Sequence, residues 1–278
     1  MRGVMIKVSL PSELPKDIVT WKEKAERITA LILAEPSLEQ KHVLIDKYKD
    51  HWRKPELVNW LSDLNFEKCW YTETKFGGDY QEIEHYRPKK GTKDIDGNIH
   101  VSHPGYYWLA FELSNYRLCK SRPNRKKGTF FPIVDERFRA SSTAQSWRDE
   151  IPFFLDPLKE TDVILLSFND DGVPVAQDGI GDKDTQRVNF TIEKYFLDER
   201  VLNTRRRQTW QTSRALYYSY LSQMKEANEV GSIAARTKAE EELVKLKDML
   251  TPSSEFSAVA KESLCKLGDA IAMKIACS

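Results

Sequence analysis

In the stretch QEIEHYRPKKG, residues 81–91, Glu84 and His85 end an apolar–acidic alternation and run directly into Arg87, Lys89 and Lys90. A neutral imidazole, with an ordinary pKa of about 6.5, can take a proton from water at physiological pH. A carboxylate and an amide oxygen are hard ligands suited to Mg²⁺ or Mn²⁺. Two asparagines follow, Asn115 and Asn124, the second shortly before Lys127 and Gly128. Arg122, Arg125, Lys126 and Lys127 join Arg87 and Lys89 as cations able to hold phosphates. Base, metal ligands and phosphate grip together fit phosphodiester hydrolysis.

The net charge of the 278 residues is only +1, which by itself argues against a general nucleic-acid coat. The basic residues are clustered instead, and local charge sets the field a phosphate meets. No apolar run is long enough for a membrane span, and the first residues lack a secretory apolar region. Four cysteines are too few for a disulfide scaffold, so the expected compartment is the cytoplasm.

Residues 1–66 read as helices. Ile18, Trp21, Ala25, Ile28 and Ile32 recur at helical spacing, and a further helix starts at Pro55. Residues 67–135 hold short strands, aromatics and turn signals, with RPNRKKG as a short helix closed by Gly128. Residues 136–278 begin with a hairpin turning at Asp171-Gly172 and continue as helices. The last apolar stripe, Leu264, Leu267, Ile271 and Ile275, suits either a docked partner or packing within the chain. The expected fold is mainly α with a small α+β centre.

The segments KCWYTE, EIEHYRPKKG, YYWLAFELSNYRLC and NRKKGTFFP resemble the HNH endonucleases, specifically the PtuB-like group found beside ATPases in Septu and retron anti-phage systems. The likeness covers roughly residues 67–207. It implies a ββα-metal finger embedded in a helical frame, with His85 activating water. It further implies that Glu84 and Asn124 ligate Mg²⁺ or Mn²⁺, that Asn115 braces the loop behind His85, and that Lys127 faces phosphate. The implied activity is cleavage of DNA alongside an ATPase subunit; an RNase using the same finger, or an inactive nucleic-acid-binding subunit, are the alternatives. Members often carry two Cys-x-x-Cys pairs for structural zinc. Here Thr72 and Arg122 stand at the second positions after Cys69 and Cys119, which speaks against that zinc.

Overall fold

The computed structural model describes residues 6–100 and 102–277. Three helices open the fold: α1 (Lys16–Ala34), α2 (Leu38–Lys47) and α3 (Pro55–Asp63). The α1 stripe Ile18, Trp21, Ala25, Ile28 and Ile32 is wholly buried, as its spacing requires. Ser37 caps α2 by accepting from the Gln40 N–H, and Pro55 occupies the first turn of α3. Trp21 and His51 stack with ring centres 4.7 Å apart, and the Trp21 indole donates to the His51 carbonyl at 2.7 Å. That joint fixes the neighbouring Trp52, which reaches the centre of the molecule.

The centre is β1 (Gln81–His85) paired antiparallel with β2 (Tyr116–Lys120), followed at once by α4 (Ser121–Lys127). Helix α4 stops because Gly128 adopts φ +52° and returns its N–H to the Asn124 carbonyl. Residues 86–115 link the strands by a long excursion, with an exposed turn at Asp94-Asn98 and Lys93 bridged to Ile99. Arg117 on β2 grips Asp156 with two bonds, at 2.8 and 2.7 Å, both groups buried.

Beyond α5 (Glu160–Val163), a second hairpin joins β3 (Leu166–Phe168) to β4 (Pro174–Ala176). Its turn must hold glycine: Gly172 lies at φ +74°, and a Cβ there would sit 2.5 Å from the Arg207 nitrogen. Helices α6 (Asp182–Lys194), α7 (Arg200–Val230), α8 (Ile233–Leu250), α9 (Ser257–Cys265) and α10 (Ala270–Ala276) complete the chain. Among the described residues the fold is mainly α with two small antiparallel sheets. One apolar core runs from Val8 to Val259 and includes both central strands. A second core joins Tyr217 of α7 to Leu246, Leu250, Leu264 and Ile275. Leu264 and Ile275 of the terminal stripe are therefore spent inside the chain, Leu267 packs at the edge, and Ile271 stays 48% exposed. Gly268, at φ +70°, divides that stripe between α9 and α10. No described helix is long and apolar enough to cross a membrane.

Candidate active site

Among the described residues β1 pairs in a sheet with β2 alone. Two adjoining hollows of about 510 and 270 Å³ run along β1, and both are lined by Ile83, His85, Lys89 and Asn124. His85 comes from the end of β1 and is held edge-on between Trp52 and Tyr116, with ring centres 4.8 and 5.2 Å away. Its Nε2 lies 2.9 Å from the Ala110 carbonyl. A carbonyl can only accept, so Nε2 carries the hydrogen and Nδ1 keeps the lone pair. Nδ1 is 3.4 Å from the Lys89 ammonium. Burial, and then the cations Lys89 and Lys127, hold the imidazole pKa well below its ordinary value, against the pull of the Ala110 carbonyl. His85 is thus neutral at pH 7, in one fixed tautomer.

Lys89 crosses the Trp52 ring at 5.0 Å and lines both hollows. Burial, with help from Lys127 and Lys90, pushes its pKa down to about 8. It is a cation brought close to other cations and, among the described residues, in no ion pair of its own, with Asp46 engaged by Lys90; an incoming phosphate relieves that state.

The two carboxylates of β1 are placed differently from the expectation that Glu84 ligates metal. Side chains alternate along a strand, so Glu84 leaves on the face opposite His85 and enters the core beneath α4. There it is fully buried, ion-paired with Lys127 and bonded by the Tyr71 hydroxyl at 2.9 Å, which Tyr195 supports in turn. Glu82, two residues back on the same face, stands at the rim of the larger hollow and accepts from the Asn124 amide at 2.7 Å. Among the described residues no group of three or more His, Cys, Asp or Glu side chains converges as a metal cage. Glu82 and Asn124 do supply one carboxylate and one amide in the lining of the larger hollow, to which His85 also contributes. That donor pair suits Mg²⁺, which keeps most of its waters and takes further oxygens from phosphate. Glu84 belongs to no such set.

The basic residues also separate. Lys127 was expected to face phosphate, yet it is buried and donates to the His85 and Tyr86 carbonyls at 2.6 and 2.8 Å besides pairing with Glu84. It bolts α4 to the end of β1. Arg87 is buried too, bonded to Glu150 at 2.8 Å and stacked on Trp147. In both cases an acid distant in sequence claims the cation. Arg122, Arg125 and Lys126 are exposed on the outer side of α4. Cys69 and Cys119 are both buried, Thr72 bonds Thr74, and Arg122 lies over Phe196 rather than turning toward the thiols.

Asn115 closes the long excursion. Its side chain accepts from the Arg87 N–H at 2.8 Å and donates to the Arg87 and Leu109 carbonyls at 3.0 Å. Its own carbonyl accepts from the Tyr86 N–H at 2.8 Å. Asn115→Ala strips three buried bonds and should lower stability by about 2–4 kcal/mol, read as a shifted denaturation midpoint. A midpoint equal to that of the parent would show that Asn115 acts only in chemistry.

Glu82, Trp52 and Tyr80 are the cleft residues the sequence did not single out. Strand alternation could have pointed to Glu82, since it and Glu84 share a face; nothing local pointed to Trp52. No family model matches the chain. It is similar to the Septu protein PtuB of Bacillus mycoides (strain KBAB4), with 32% identity over 163 residues, which is 58% of this chain and 52% of that protein. The chain therefore spans about half the length of the curated relative it matches.

Proposed function

We propose that the chain is a metal-dependent endonuclease of the HNH type, hydrolysing phosphodiester bonds as an effector of anti-phage defence. The observation that carries this reading is His85: neutral, held by its Nε2 hydrogen on the Ala110 carbonyl, with its basic Nδ1 at a cationic cleft. The strand–strand–helix order of β1, β2 and α4 supports the finger, and the likeness to a Septu protein supports the defence role. In the resting protein Lys89 donates toward Nδ1. A phosphate entering the cleft draws the ammonium to itself and leaves the lone pair for a water. His85 takes that water's proton as the oxygen bonds to phosphorus; the bond to the leaving oxygen breaks, and that oxygen collects a proton from solvent. Lys89 balances charge on the non-bridging oxygens. A divalent cation on Glu82 and Asn124 would supply charge neutralisation at the scissile phosphate. DNA is the proposed substrate, and an ATPase of the same system the proposed partner.

Purified protein, with and without that partner, should be incubated with plasmid, single-stranded DNA and total RNA. EDTA should abolish cleavage, and Mg²⁺ or Mn²⁺ should restore it. Glu82→Gln should weaken Mn²⁺ binding about 10-fold or more, whereas Glu84→Gln should leave metal affinity unchanged. Cleavage that persists in EDTA would refute the metal assignment. Products from RNA alone would move the substrate from DNA to RNA.

A further inference from the structure

On the far side of α4 from Lys127 lies a separate pocket of about 520 Å³, between the start of that helix and the α6–α7 junction. Its lining joins the apolar Phe196, Val201 and Leu202 to Arg122, Arg125 and Arg205, and also includes the acids Asp79 and Glu199; Arg122 pairs with Glu199 and Arg205 with Glu255. Phe196 sits at φ +53°, where α6 ends with Leu197 returning its N–H to the Ile192 carbonyl. Glycine fits that position without strain, and phenylalanine does not. The ring is nevertheless there, with the Arg122 guanidinium 4.6 Å above its centre. Tyr80 lines both this pocket and the larger His85 hollow, and at 85% exposure its ring has no packing role. An apolar wall beside three arginines suits a flat base attached to a phosphate, which would take the Arg122 and Arg205 guanidiniums over from Glu199 and Glu255, and the pocket's volume is in the range of small-molecule sites.

We propose that this pocket takes an unpaired base of the strand being cut, with Tyr80 as the stacking shoulder between pocket and cleft, so that the substrate is single-stranded or locally opened. The proposal rests on the nuclease reading. In a closed duplex the bases are paired inward, and none is free to enter the slot. A strand whose phosphate reaches Lys89 passes Tyr80 first and meets Arg122 and Arg125 beyond it.

The test uses the full chain carrying His85→Ala, so that substrate is bound but not cut. Affinities for a labelled oligonucleotide, its duplex and free AMP and UMP are compared, then repeated with Tyr80→Ala and Phe196→Gly. The glycine variant removes the ring at a position glycine prefers, so it should fold. The single strand should bind more tightly than the duplex. Each variant should weaken single-strand binding about 5- to 100-fold and leave duplex binding unchanged. An iodouracil oligonucleotide should crosslink to Tyr80 or Phe196. Equal affinity for strand and duplex, or single-strand affinity unchanged in both variants, overturns the proposal; so does AMP or UMP binding as tightly as the oligonucleotide, which would make the pocket a free-nucleotide site. If any of these occurs while wild-type protein still cleaves nucleic acid, the nuclease reading stands alone. No cleavage together with no binding sinks both.

Discussion

Replacing His85 with alanine should lower the cleavage rate about 10²- to 10⁴-fold while nucleic-acid affinity stays unchanged. Lys89, Asn124 and Glu82 all remain in the cleft, so the proposed grip and metal ligands survive. Because the ring is packed against Trp52 and Tyr116, the melting temperature must be read alongside. His85→Gln, which keeps an amide donor for the Ala110 carbonyl, serves as the better-filled control. The pH profile of kcat/KM carries a second signature. A base whose pKa lies well below its ordinary value is already deprotonated at neutrality, so the acid limb should fall below the usual histidine range. Lys89 loses its charge as pH rises through about 8, so activity should decline there. Lys89→Arg, which stays charged, should remove that upper limb. Alanine cutting at the wild-type rate would end the case for His85 as base.

The other large effect belongs to a residue whose charge is spent inside the fold. Lys127→Met should destabilise the protein by about 3–5 kcal/mol, because it strands the Glu84 carboxylate in the core. It also frees α4 from the His85 and Tyr86 carbonyls. Adding Glu84→Gln should recover part of the loss, since the buried charge disappears with its partner. The salt dependence of binding should not change, whereas a phosphate contact would flatten it by about one unit of log–log slope. A variant as stable as the parent, with a flatter salt slope, would return Lys127 to the substrate.

Much of the frame was legible because its signals are local. The α1 stripe, Pro55, the Asp171-Gly172 turn and the Gly128 stop each act within a few residues. His85 and Asn124 could be paired from the likeness of their surroundings. The roles of the charged residues were not legible. A run such as Arg87 to Lys90 looks solvated until Glu150 is found folded against Arg87. Glu84 and Lys127 likewise conceal each other across the strand–helix junction. Adjacent letters suggested that Glu84 and His85 work together, and the pleat of β1 sends them to opposite sides. Partner choice between distant charges is settled by packing, and one sequence holds no record of it.

The clamp made by Asn115 also separates loop length from site geometry. Both ends of residues 86–115 are fixed beside His85, by the Tyr86 and Arg87 bonds at one end and the Leu109 bond at the other. The turn between Lys93 and Ile99 lies far along the chain from that clamp, and Asp94 closes it through its own neighbours. The Lys93 backbone is tied to Thr129 and Phe131, so extra residues belong at the exposed Ile95-Asp96 tip, where they add closure entropy of about 0.6 kcal/mol for each doubling of length. This turn is the place where a reporter or an affinity tag can be inserted with the least disturbance of the cleft.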